Sequence, residues 1–460
     1  MRLLRPTRAE PPESQALLVD LYELTMGESY LAEGIADRPA TFQLYCRHLP
    51  RGWGYLVAAG IGDALAYLEQ LSFSADDLAY LETMRLFSRA FLDRLARFRF
   101  SGDVRAMQEG TVFFPDEPVV EVTAPLLEAQ LVETVVLNRV HFQSVIAGKA
   151  ARCVDVAEGR KLVDFGLRRT HGGEAGLKVA RASYLAGFDS TSNVLAGKVY
   201  GIPVSGTMAH SYVECFGDES AAFEAFSRSY PDGSTLLIDT YDTVEGAQRA
   251  ARVGRALREQ GGRLGGVRLD SGDLLELSRQ VRQVLDEAGL PEVTIFASGN
   301  LDEREIARLL RAGAPIDGFG VGSRLGTSAD APYLDAAYKL VAFDGRPVLK
   351  LSTGKATLPD SKQVWRQLDG DRFAGDVVAL RDEPAPPGAE PLLDAAMTSG
   401  VRVHREGLDT ARARAAQQRA ALAPEHRGLD SEAYAVAISP ALAALRETLA
   451  EEIRGHEDAA

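Results

Sequence analysis

Thiols are scarce in this chain. Cys46, Cys153 and Cys215 are its only cysteines, far apart and odd in number, which argues against a disulfide framework and for a reducing compartment. No CxxC or HExxH spacing offers a zinc site. Positive charge is also short: 51 Lys and Arg face 65 Asp and Glu, for a formal charge of −14. Nucleic-acid-binding domains usually carry a basic face, so the charge argues against a binder that relies on global attraction to phosphate, and any phosphate site must be built locally. Long apolar runs are missing too. Nothing reaches the roughly 18 residues that span a bilayer, and "MRLLRPTRAEPPES" lacks the apolar core of a signal peptide. The expected setting is the cytoplasm, without a membrane or nucleic-acid partner.

What is present is material for a large core, 46% hydrophobic over 460 residues. Residues 1–14 are Pro/Glu-rich and read as a loose arm ending in a cap at Ser14 before the helical "QALLVDLYELTMGESYL". "ATFQLYCR" (40–47) alternates as a half-buried strand, helical spacing follows near 62–70 and 87–98, and "PVVEVTAP" is a further strand. From Leu126 to about Ala157 the spacing is helical for an unusually long run, with a break expected near Gly148. Short apolar strands at "KLVDFG", "IPVSG", "TLLIDT", "GGVRLD", "TIFASG" and "IDGFGVG" then alternate with helical stretches 244–259, 274–288 and 303–312.

That rhythm predicts a parallel βα sheet or barrel. The expected organisation is a barrel over 126–335 and an α/β domain from 15–125 with 336–384. A Pro-rich linker (385–398) and a helical tail complete the chain to 460.

Each barrel strand runs into a polar cluster, which places those residues at the carboxyl ends of the strands, where barrels hold their active sites. "GFGVGSRLGTS" (318–328) offers Gly322 and Ser323, and "FASGNLDE" (296–303) offers Ser298 and Gly299. Glycine lets backbone N–H groups approach an anion and a hydroxyl adds a donor, although an ordinary turn or a helix cap has the same composition. "GVRLDSGD" (266–273) puts Arg268 and Asp270 on one face by alternation. The guanidinium fork suits a carboxylate or phosphate, Asp270 or Asp273 suits Mg²⁺ or a sugar hydroxyl, and the plain alternative is a self-satisfied ion pair. "DFGLRRTHG" adds Arg168, Arg169 and His171 after another strand. "SGTMAHS" places Thr207 and His210 at the same rim, where an imidazole can act as base, phosphate ligand or phosphoryl acceptor. Asp239 and Asp242 of "LLIDTYDT" are the expected partners of its other ring nitrogen.

The motifs "LLVDLYELTM", "ETVVLNRVHFQS", "GKAAR", "DFGLRR", "AGFDSTSNVLAGKVYGIPVSGTMAHS", "LIDTYDT", "GVRLDSGDL" and "YKLV…KLSTGK…PDSKQVWR" together resemble the nicotinate phosphoribosyltransferase family. The resemblance runs over about residues 16–366 in family order. It implies an α/β fold with an incomplete or irregular barrel of the type II phosphoribosyltransferase kind. It also implies transfer of phosphoribosyl from phosphoribosyl pyrophosphate to nicotinate, coupled to ATP hydrolysis and assisted by Mg²⁺.

By the same resemblance, His210 is the histidine that ATP phosphorylates. Tyr22 stacks on nicotinate in the partner subunit of a homodimer, Thr207 and Arg268 contact nicotinate, and Ser323 contacts phosphoribosyl pyrophosphate. Arg168, Asp270 and Gly299 lie in matching motifs. Two departures touch helix packing: His141 stands where Asn is expected, and "AGKAAR" replaces an Ala-Thr-Lys version. Nicotinamide or quinolinate phosphoribosyltransferase, a sugar-phosphate enzyme and a non-catalytic nucleotide sensor are the alternatives. The strand ends identified above carry no candidate Schiff-base lysine, which weighs against an aldolase.

Overall fold

The computed structural model describes residues 15–352, 357–403 and 405–457. The Ser14 cap and the second half of "KLSTGK" (353–355) lie outside them. The first helix runs from Leu21 to Ala32 rather than from residue 15, because the Asp20 backbone is extended (ψ 141°) and its carboxylate accepts the Thr134 hydroxyl at 3.0 Å. The long apolar run folds as Leu126–Leu131 and Glu133–Val156. Its break falls at Val132, not at Gly148. The helix passes through Gly148, where a Cβ would meet the Trp53 ring at 2.6 Å, so the glycine serves packing.

Two sheets carry most of the strands. The first has seven strands in the order Arg346–Pro347, Ala336–Phe343, Pro39–Cys46, Pro118–Pro125, Asp103–Ala106, Asp394–Thr398 and Val401–Arg402. Residues 385–398 are therefore not a free linker. Asp394–Thr398 pairs antiparallel with Asp103–Ala106, and Leu392, Leu393 and Met397 are buried. The prolines that precede this short strand hid it. Nor is the remainder only a helical tail, since Val436–Ile438 pairs in parallel with Arg372–Leu380.

The second sheet is parallel, in the order Ser190–Thr191, Lys161–Asp164, Gly318–Val321, Thr294–Ser298, Arg263–Leu269 and Asp232–Leu237. "IPVSG" contributes only one bridge, from Val204 to Thr191. The chain beyond it forms helices His210–Phe216 and Glu219–Ser229 before the next strand. The sheet curls without closing, as an irregular half barrel. The connecting helices are amphipathic and capped by acidic side chains: Asp242 for Thr243–Glu259, Asp273 for Leu274–Glu287 and Asp302 for Glu303–Arg311.

The two helix-packing departures resolve into specific contacts. His141 Nε2 accepts the Leu334 N–H at 2.9 Å, and burial lowers the ring's pKa, which keeps it a neutral acceptor. Lys149 is 2% exposed and ion-paired.

Glu23, beside Tyr22 on the first helix, is fully buried against Thr134. Desolvation raises its carboxyl to about 7, with Glu133 and Asp20 adding to the rise and the bonds from Thr134 opposing it. The folded state thus holds a proton that the unfolded chain has released, so stability falls as pH rises from 4.5 through 7. Glu23→Gln should stabilise by about 1 kcal/mol at pH 8 and by nothing below pH 4.5. Denaturant midpoints at the two pH values measure this, and an equal gain at both would remove ionisation as the cause.

Candidate active site

Every pairing in the six-stranded sheet is parallel. The loops that leave its strands therefore emerge at one edge. Those loops carry Arg168, Thr240, Asp270, Gly299 and Ser323, with Thr207 and His210 following the Val204 bridge.

Arg268 is the hub of this rim. Its Nε donates to Ser298 Oγ at 2.8 Å, Nη1 to Thr207 Oγ1 at 3.0 Å and Nη2 to Asp270 Oδ1 at 2.7 Å. Ser298 in turn donates its hydroxyl to Asp270. The guanidinium lies 5.2 Å from the centre of the Phe165 ring, a cation–π distance. The ion pair anticipated as the plain alternative is thus real, and it also fixes two hydroxyls from other loops. Burial pushes the Asp270 carboxyl up, but Ser298, Arg268 and the nearby His210 outweigh it and hold it below the usual range. An ionised carboxylate, a fixed cation and two oriented hydroxyls are the chemistry available at this centre.

His210 is the first residue of its helix and half-buried. Its Nδ1 lies 3.1 Å from Thr240 Oγ1. The expected aspartate partners are elsewhere. Asp242 caps a helix through Glu245 N–H at 2.8 Å, and Asp239 Oδ2 accepts from the Asp270 N–H at 2.8 Å and Ser271 Oγ at 2.7 Å. Strand-end topology brought all three to one edge, but the side-chain partner is the hydroxyl between the two acids. Asp239 Oδ1 is buried without a hydrogen bond.

The glycines divide by purpose. Gly299 has φ +95°, and a Cβ there would sit 2.0 Å from the Asp270 carbonyl, so the Ser298 turn can lie against the Asp270 loop only with glycine. Gly320 instead makes room for Phe165, whose ring a Cβ would meet at 2.5 Å. Asp270, Gly299, Asn300 and Arg324 line one cleft of about 530 Å³.

The profile of the nicotinate phosphoribosyltransferase N-terminal domain matches residues 17–141, and that of the nicotinate phosphoribosyltransferase family matches residues 160–372. The chain belongs to the nicotinate phosphoribosyltransferase family.

It is 51% identical over 428 residues to nicotinate phosphoribosyltransferase pncB2 of Mycobacterium tuberculosis (strain ATCC 25618 / H37Rv), covering 92% of this chain and 91% of that one. A Bacillus subtilis nicotinate phosphoribosyltransferase is 43% identical over 382 residues, covering 81% and 77%. The crystal structure of human nicotinic acid phosphoribosyltransferase superposes with a TM-score of 0.84 at 33% identity, over 94% of this chain and 99% of that one.

Within the nicotinate phosphoribosyltransferase fold, some expected residues stand apart from the hub. Tyr22 is 45% exposed on the Leu21–Ala32 helix. Its hydroxyl is pushed up by burial first and then by Glu133, Glu23 and Asp20. Arg168 lies exposed on the turn Leu167–Arg169, and Ser323 is exposed at the start of Ser323–Gly326. Asp273 Oδ1 accepts the Leu275 N–H at 3.1 Å as a cap. Sequence reasoning missed Phe165 and Thr240. Both were legible as strand-end residues, in "VDFG" and "IDTY", but nothing local distinguished them.

Proposed function

We propose that this chain transfers the phosphoribosyl group from phosphoribosyl pyrophosphate to nicotinate, forming nicotinate mononucleotide and pyrophosphate for NAD salvage. The nicotinate ring nitrogen attacks the anomeric carbon as the bond to pyrophosphate breaks, and pyrophosphate leaves with the electron pair. The observation that carries this reading is the Arg268–Thr207–Ser298–Asp270 network at the edge where the parallel strands end. Asp270 stays ionised and can stabilise the positive charge that develops on the sugar. The Thr207 loop, held to Arg268, positions nicotinate, while the Gly299 and Ser323 turns receive the phosphates.

Mg²⁺ fits as an ion that arrives with the pyrophosphate. No group of three or more His, Cys, Asp or Glu able to hold a metal exists among the described residues. The carboxylate oxygens left for it are Asp239 Oδ1, which is buried and unpartnered, and Asp270 Oδ2, since Asp270 Oδ1 accepts from Arg268 and Ser298. Such an ion would neutralise leaving-group charge.

ATP enters through His210. The Thr240 contact orients Nδ1 and leaves Nε2 to attack the terminal phosphorus, with ADP departing; water later cleaves the P–N bond. ATP labelled at its terminal phosphate should leave an acid-labile, base-stable label that His210→Asn abolishes. Label persisting in the variant would refute this assignment.

A homodimer completes the reading, with Tyr22 serving the partner's site. The exposed apolar side chains Leu18, Leu21 and Tyr22 near the start of the first helix, and Val194, Leu195, Val199 and Val204 after the Ser190–Thr191 strand, support an interface between copies. Mixing Tyr22→Ala with His210→Asn chains should then restore part of the activity that each lacks. No restoration would make the subunits independent.

A further inference from the structure

We propose that Lys149 is a positioning residue for the sugar pyrophosphate, its ammonium clamping the turn after Thr294–Ser298 to the turn after Gly318–Val321 so that both face one anion. The inference rests on the phosphoribosyl-transfer reading. Lys149 lies on the helix Glu133–Val156, away from the rim, and its Nζ touches carboxylates from both turns. Glu303 Oε2, on the first residue of the helix after Gly299 and Asn300, is 2.6 Å away. Asp330 Oδ1, seven residues beyond Ser323, is 2.5 Å away.

The two carboxylates are anchored unequally. Glu303 also pairs with Arg152 Nε at 3.2 Å, and Arg152 is fixed in turn to the Gly52 carbonyl at 2.8 Å. Besides Lys149, Asp330 accepts Trp53 Nε1 at 3.1 Å and a backbone N–H, and among the described residues no second cation hydrogen-bonds to it. A second tie between the turns, Arg324 to Asp302 at 2.6 Å, is more exposed. The buried Lys149–Glu303 pair is the fixed side of the joint, because separating it would strand charge in the interior, and the ammonium it holds in place is what draws the more exposed Asp330 carboxylate in. Burial alone would favour the neutral amine, but Glu303 and Asp330 overcome it and keep Lys149 charged.

Loss of the ammonium thus frees the Asp330 turn first, while Arg152 still holds the Glu303 turn. That asymmetry gives the test. Inorganic pyrophosphate and phosphoribosyl pyrophosphate are titrated calorimetrically into the full-length protein, and KM values are measured in parallel. Lys149→Met should weaken both ligands about tenfold with the KM for nicotinate unchanged. Asp330→Asn, altered at a side chain 41% exposed and so tolerant of change, should do nearly the same. The double variant should be no worse than Lys149→Met alone, because both changes cut one joint. Lys149→Arg, which keeps the charge, should recover part of the loss, and with Asp330→Asn it carries the test if Lys149→Met does not fold.

Folded Asp330→Asn protein that binds pyrophosphate within about twofold of wild type overturns the clamp, as do losses that simply add in the double variant. Wild-type protein that binds pyrophosphate in a Lys149-dependent way but forms no nucleotide would overturn the transfer reading and keep the clamp.

Discussion

Arg268→Ala is expected to lower kcat/KM for nicotinate by about a thousandfold, roughly 4 kcal/mol of transition-state stabilisation. The substitution removes the donor of the 2.8, 3.0 and 2.7 Å bonds to Ser298, Thr207 and Asp270 together, so three loops lose their common anchor. It also leaves Asp270 half-buried without its cation. The carboxyl, now held low by Ser298, Arg268 and His210 against desolvation, would lose one of those supports and move up. Activity should therefore fall away on the acid side at a higher pH in the variant than in wild type. Arg268→Lys should rescue little, because a single ammonium cannot reach three partners along the fork. Steady-state rates against pH test both parts, and an unchanged kcat/KM would remove Arg268 from the site.

Gly299→Ala has the second largest expected effect. A Cβ there would stand 2.0 Å from the Asp270 carbonyl in a backbone with φ +95°, so strain and collision add. The expected cost is about 3 kcal/mol of stability, with a raised KM for phosphoribosyl pyrophosphate because the Ser298 turn must withdraw from the Asp270 loop. Gly313 is the control. It too has positive φ (+73°) but open space around its Cβ position, so Gly313→Ala should cost only about 1 kcal/mol and leave KM alone. Equal effects at both positions would mean that backbone strain, not the close approach, decides the outcome.

The sequence made the site's framework readable where period and punctuation agree. Strands ending in "RLDSGD" and "FASGN" announced their polar ends, and alternation placed Arg268 beside Asp270 as observed. Helices with strong amphipathic spacing and an aspartate cap, such as Leu274–Glu287, fell where expected. What sequence could not resolve was choice among neighbours a few ångströms apart. Asp239, Thr240 and Asp242 leave the same strand, and only the turn's geometry gives His210 to Thr240 while Asp239 turns to Ser271 and the Asp270 backbone. "IPVSG" has strand-like residues, yet long-range pairing grants it one bridge. Asp394–Thr398 shows the converse, since its partner lies nearly 300 residues earlier and no local pattern encodes that pairing.

The most direct test of the central claim measures product. Full-length protein is given phosphoribosyl pyrophosphate, Mg²⁺ and ATP with nicotinate, nicotinamide or quinolinate, and the mononucleotides are separated and quantified. Nicotinate mononucleotide should be the dominant product, stimulated by ATP and lost in Arg268→Ala. Preferential turnover of nicotinamide or quinolinate, or product formation indifferent to Arg268, would contradict it.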